Sequence, residues 1–136
     1  MRIVVGFLRS PEGRAAFERA IDEAQIRDGE LLVVHSMRGG ERDELDQLIT
    51  SQEDFADLDR QLKESGVQYR MVEYARGNSP AEDLLQASKD EDADLIVIGI
   101  RRRSPVGKLI LGSNAQDILL NAEASVLAVK ASKDAE

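Results

Sequence analysis

The stretch from Gly99 to Asn114 concentrates the side chains best suited to holding an anion. Arg101, Arg102, Arg103 and Lys108 stand in a segment, Leu95 to Gln116, that contains no acid. The chain as a whole carries 26 acidic against 18 basic residues, a net charge of −8. Gly112 permits close backbone approach, and Gly107 adds a second small residue to the same stretch. Ser113 stands where a helix would start, opening a Ser113-Asn114-Ala115-Gln116 capping box, with a hydroxyl and free backbone N–H groups at hand. That combination favours phosphate above other anions. The same residues also read as a solvated surface loop whose arginines pair with acids of neighbouring helices, and composition alone leaves both readings open.

Other reactive side chains are few. There is no cysteine and one histidine, which excludes a disulfide framework, a thiolate metal site, a cysteine nucleophile and a multi-histidine metal centre. His35 ends an apolar run with no serine, cysteine or acid pair arranged beside it for a triad, so a structural role is expected. Ser36, its neighbour, is placed to present its backbone to a ligand cleft. Glu53-Asp54 and Asp90-Glu91-Asp92 read as solvated helix faces. Neither G-x-G-x-x-G nor G-x-x-x-x-G-K-[ST] occurs, and Val106-Gly107-Lys108-Leu109 imitates the latter only superficially. No catalytic constellation emerges, so the expectation is a binding protein and not an enzyme. The acidic balance makes nucleic acid an unlikely partner. The N-terminal ten residues lack the apolar centre of a leader, and no apolar run reaches the roughly 18 residues of a membrane helix. A cytoplasmic protein with no membrane contact is expected.

These residues need elements to position them, and the hydrophobic pattern supplies nine. Five apolar runs predict strands near 2–8, 30–36, 67–75, 94–99 and 125–130. Ser10-Pro11-Glu12 opens a helix with Phe17, Ala20, Ile21 and Ala24 on one stripe, closed by Asp28-Gly29. A long helix follows Gly39-Gly40, with Leu45, Leu48, Ile49, Phe55, Leu58 and Leu62 as its apolar face. Ser79-Pro80-Ala81-Glu82 is a capping box opening a third helix with Leu84, Leu85 and Ala87. A fourth carries Ile118, Leu119 and Leu120. Strand and helix alternate throughout, which predicts an α/β fold: a single doubly wound Rossmann-like domain, a five-stranded parallel sheet with helices on both faces. The domain spans 1–136, with 131–136 a frayed polar tail. Ligands of such sheets sit at the strand carboxyl ends, which directs attention to the loops after the first and fourth strands. In the last strand Val126 and Ala128 point one way, Leu127 and Val129 the other. No element follows to cover its edge, so a homodimer through residues 125–130 is expected.

The residues after the fourth strand resemble the motif of the universal stress protein family, G-x2-G-x9-G-(S/T). Gly99, Gly112 and Ser113 fall on its first glycine, third glycine and hydroxyl at the right spacing. Ile3-Val4-Val5-Gly6, Ser10-Pro11-Glu12 and Val126-Leu127-Ala128-Val129-Lys130 extend the resemblance over nearly the whole chain. The resemblance implies a five-stranded Rossmann-like domain, usually dimeric, whose nucleotide-binding members hold ATP, with Mg as the companion of its phosphates. It implies a site of Gly99, Gly107, Gly112, Ser113 and Asn114 around the phosphates, with Phe7, Leu8 and Ser36 toward the nucleoside. Two positions depart from the motif. Arg102 occupies the second glycine, adding a side chain that either obstructs the cleft or binds phosphate through its guanidinium. Leu8 stands near the place of an aspartate, replacing a polar nucleoside contact with an apolar one. The competing expectation is a nucleotide-free dimeric interaction module.

Overall fold

The computed structural model describes residues 1–6, 11–36, 56–74, 79–100 and 112–131, with only the backbone of Ser36 and Tyr74. Five strands, β1 (Arg2–Gly6), β2 (Glu30–Ser36), β3 (Gln68–Tyr74), β4 (Leu95–Ile100) and β5 (Ser125–Lys130), form one parallel sheet in the order β3-β2-β1-β4-β5. Between them run α1 (Pro11–Arg27), α2 (the helical residues 56–65), α3 (Pro80–Asp90) and α4 (Ser113–Asn121). The expected doubly wound α/β architecture is thus present, and all five strands fall where the apolar runs place them. Of the long helix expected after Gly39-Gly40, residues 41–55 lie outside the described ones; at its end Leu58 and Leu62 are buried.

The strands are apolar along their length because both faces are covered. Ile3, Val5, Leu31, Val33 and Val97 join Phe17, Ala20, Ile21, Leu58 and Leu62 in a core between the sheet and α1 and α2. Val4, Leu32, Val34, Ile96 and Ile98 join Ala81, Leu84, Ala87, Ala115 and Ile118 in a second core beneath α3 and α4. The alternation of pleat residues therefore decides which helices each strand residue meets. Two crossovers wind the chain outward from β1 through β2 to β3, and two more, β3 to β4 and β4 to β5, carry it the other way. The direction reverses between β1 and β4, which pair in register from Ile3↔Leu95 to Val5↔Val97. The helices that follow these two strands, α1 and α4, lie on opposite faces of the sheet, the arrangement in which such sheets place ligands at the carboxyl edge.

The opposite edge is tied by charge. Arg70 donates to Glu30 at 3.0 Å and to Glu91 at 2.9 Å, while the Arg2 guanidinium donates to the Glu91 carbonyl at 2.7 Å and the Arg2 N–H to Asp94 at 2.9 Å. Glu91, expected on a solvated face, instead links β1, β3 and the end of α3. Asp28 and Asp92 end α1 and α3 with positive φ, 52° and 53°. Ala131, expected as the first residue of a frayed tail, is only 4% exposed; residues 132–136 lie outside the described ones.

Candidate functional site

α4 presents the anion-binding end that the sequence points to, with a different first residue. Gly112, at φ −71° and ψ 166°, is the N-cap, and its carbonyl accepts the first helical hydrogen bond from the Gln116 N–H at 3.0 Å. Ser113 is therefore the first helical residue, and the capping box expected at Ser113 does not form. Among the described residues no side chain caps α4, and no acid lies in its first turn. α1 and α3, by contrast, carry Glu12 and Glu82 with Asp83 against their positive ends. Gly112 and Ser113 are exposed. A Cβ at Gly112 would meet no described atom within 4 Å, and its φ is one that any residue adopts. Neither strain nor packing against the described residues asks for glycine there. It keeps space open beside a helix N-terminus.

Gly99, by contrast, has a packing demand of its own. A Cβ on it would stand 2.1 Å from the Glu12 carbonyl oxygen, at the start of α1. The first glycine of the motif lets α1 lie directly on β4. Asn114 likewise has a contact within the protein: its Oδ1 accepts from the Ala81 N–H at 3.3 Å, joining the N-terminus of α4 to that of α3. That N–H is one of the donors a helix start leaves without an intrahelical partner. α3 begins as expected, with Ser79 accepting from the Glu82 N–H at 3.2 Å and Pro80 in its first turn. The structure thus gathers Gly99, Gly112, Ser113 and Asn114 at the carboxyl edge on the β4 side of the reversal. Ser36 ends β2 at the same edge, in register with Tyr74. Phe7, Leu8, Arg102 and Gly107 lie outside the described residues.

His35 belongs to the other face. It shares its pleat with Leu31 and Val33, which pack toward α1 and α2, and its Nδ1 lies 3.8 Å from the Glu73 carboxylate with 12% of the side chain exposed. Burial pushes its pKa below the usual 6.5, and the neighbouring Glu73 opposes that shift. One residue of this region escaped sequence reasoning. Asp83 reads as an ordinary acid of a helix start, yet it is 1% exposed and neither carboxylate oxygen has a hydrogen-bond partner among the described residues. Among the described residues no group of three or more histidine, aspartate or glutamate side chains is arranged to hold a metal ion, and no helix is long and apolar enough to cross a membrane.

A doubly wound sheet whose chain direction reverses between β1 and β4 defines a Rossmann-like domain. The profile of the universal stress protein family matches residues 1–130. A universal stress protein from Mycolicibacterium smegmatis is 44% identical over 128 residues, covering 94% of this chain and 96% of its own. The structure of a universal stress protein from Archaeoglobus fulgidus superposes with a TM-score of 0.77 at 34% identity, over 96% of this chain and 98% of the other. A structure of the universal stress protein from the same organism in complex with dAMP gives 0.71 at 28% identity, over 96% and 98%. This chain belongs to the universal stress protein family.

Proposed function

We propose that this protein is a non-catalytic, cytoplasmic stress-response module that binds ATP at the carboxyl edge of its sheet. The observation carrying this reading is the N-terminus of α4: free of acid in its first turn and, among the described residues, uncapped and opened by a glycine whose Cβ would meet no atom within 4 Å. Its N–H groups and the Ser113 hydroxyl are donors for phosphate, and four basic residues between Arg101 and Lys108 add charge of the right sign. The dAMP bound by the Archaeoglobus relative supports an adenine nucleotide as the ligand. In this reading Gly107, Gly112, Ser113, Asn114 and Arg102 surround the phosphates, Gly99 sets the strand end from which they are reached, and Phe7, Leu8 and Ser36 face the nucleoside. Magnesium, where present, arrives on the phosphates. The experiment is a calorimetric titration of ATP, preceded by the 260/280 nm absorbance ratio of the purified protein. With no Trp and two Tyr, the chain absorbs so little at 280 nm that a co-purified nucleotide would dominate. Absence of both heat and bound nucleotide would overturn the reading.

A second reading, a nucleotide-free dimeric interaction module, draws on a separate observation. β5 is an edge strand whose Val126, Leu127 and Val129 are only half-buried, and on α4 Leu119 and Leu120 remain 45% and 81% exposed. We propose that a second copy covers this edge in either case.

A further inference from the structure

Two helices, α3 and α4, start side by side, and a side chain of the second closes the first. A helix start leaves the N–H groups of its first turn without intrahelical partners, so each start can be followed donor by donor. In α3 Pro80 has no N–H; the Ala81 N–H donates to Asn114 Oδ1 at 3.3 Å and the Glu82 N–H to Ser79 Oγ at 3.2 Å. The Asp83 N–H closes the first turn on the Ser79 carbonyl at 3.1 Å. With Glu82 and Asp83 in that turn as well, α3 has no donor left for an anion. In α4 the first turn closes with the Gln116 N–H on the Gly112 carbonyl at 3.0 Å. The N–H groups of Ser113, Asn114 and Ala115 precede that bond, and among the described residues no side chain caps them. Asn114 joins the two starts. Only its carbonyl oxygen can accept from an N–H, so the bond to Ala81 fixes the whole amide group. The anchor it reaches is firm: Ala81 is fully buried in the same core as Leu84 and Ala87. The helix it steadies is short, with 9 residues and Ala115 and Ile118 as its buried pair, and such a helix depends on tertiary contacts to keep its first turn.

We propose that Asn114 is a positioning residue of the phosphate site. By accepting from the Ala81 N–H it holds the first turn of α4 against α3 and keeps the three N–H groups of that turn set for phosphate. By the same bond it withholds the Ala81 N–H from the ligand, so the anion is directed to α4 and away from α3. This rests on the nucleotide reading above and gives Asn114 a part in it through Ala81. Donors held in place before the ligand arrives lose less freedom on binding. Loosening the clasp therefore weakens the hold on phosphate and leaves the hold on the nucleoside as it was.

Calorimetric titration of ATP and of adenosine into wild type, Asn114→Ala and Asn114→Asp, with amide hydrogen exchange at Ala81 read by NMR, tests this. Asn114→Ala is expected to bind ATP about three- to ten-fold more weakly, to bind adenosine as wild type does, and to exchange the Ala81 N–H about ten-fold faster. Asn114→Asp retains an acceptor for Ala81 but brings a negative charge to the phosphates. It is expected to keep the slow Ala81 exchange and to bind ATP more weakly than Asn114→Ala does. An ATP affinity unchanged in Asn114→Ala overturns the proposal. So does an equal loss for adenosine, which is what general damage to the fold would give. A loss of ATP binding with Ala81 exchange unaltered also overturns it, because Asn114 would then act on the ligand directly. Should Asn114→Ala fail to fold, Asn114→Leu, which keeps the volume without the acceptor, is judged by the same comparisons. Wild type binding neither ATP nor adenosine removes the nucleotide reading itself, whereas wild-type binding that the variants leave intact removes only the role of Asn114.

Discussion

The two outer glycines of the motif serve different masters, and single substitutions separate them. Gly99→Ala forces a methyl to within 2.1 Å of the Glu12 carbonyl, and backbone, unlike a flexible side chain, cannot move aside cheaply. A loss of roughly 1–3 kcal/mol in stability is expected from such overpacking, measured by denaturant unfolding, whether or not nucleotide is present. Gly112→Val meets open space in the ligand-free chain, so its stability should stay within about 0.5 kcal/mol of wild type while ATP binding disappears. Equal destabilisation by both changes would show that Gly112 is needed for the fold instead. Arg102 marks this chain's departure from the motif. Arg102→Gly is expected to weaken ATP binding by about 1.5–3 kcal/mol if its guanidinium holds phosphate; tighter binding would mark it as an obstruction. Four basic residues with no neighbouring acid in sequence favour the first outcome.

At the scale of elements, α4 and β5 carry the contrast between what is capped or covered and what is left open. α4 begins without a side-chain cap, and a helix of 9 residues gains little from propensity alone. It is held by Ile118 and Ala115 against the sheet and by Asn114 against α3. Leaving its N–H groups without a side-chain cap costs stability, and under the proposed function those N–H groups serve phosphate. β5 pairs on one side only, from Leu95↔Ser125 to Ile100↔Lys130. A proline at Val129 cannot donate to a ladder, so Val129→Pro is expected to shift a dimer toward monomer, read by light scattering. Wild type running only near 15.0 kDa at micromolar concentration would refute the dimer.

At the scale of the whole molecule, protonation sets an acid limit to stability. Burial depresses the His35 pKa below its usual 6.5, so the unfolded chain takes up that proton first. Its contribution is complete above 6.5 and is lost as pH falls through the folded value. Further down, Glu23, Asp59 and Glu91 are held below their ordinary carboxylate values, first by hydrogen bonds from Arg27, Lys63 and Arg70 respectively. Their contributions are present above the unfolded carboxylate range and disappear as pH drops through the folded values. Thermal melting should therefore decline in two stages on acidification, and His35→Gln should flatten the first stage alone. An unchanged first stage in that variant would assign it to another group.

The alternation of apolar runs with helical stripes determined the fold in advance. A strand buried on both faces must read as Leu31-Leu32-Val33-Val34, and a right-handed crossover leaves few ways to arrange five such strands. Capping chemistry likewise located α3 at Ser79-Pro80, because side-chain and backbone groups three residues apart meet whatever the tertiary context. The spacing of Gly99, Gly112 and Ser113 was legible for the same reason: these residues are close along the chain. What sequence could not supply depends on contacts between distant segments. Glycine at 99 answers to the Glu12 carbonyl, Asn114 to Ala81, and Glu91 to Arg70 and Arg2. Leu119 and Leu120 read as apolar helix residues like Ile118, yet only Ile118 faces the sheet, since the short α4 covers it with a narrow stripe. Asp83 is the clearest case. A helix-start acid is ordinarily solvated, and only the packing of α3 against β1 and β2 turns this one into a buried acceptor without a donor among the described residues.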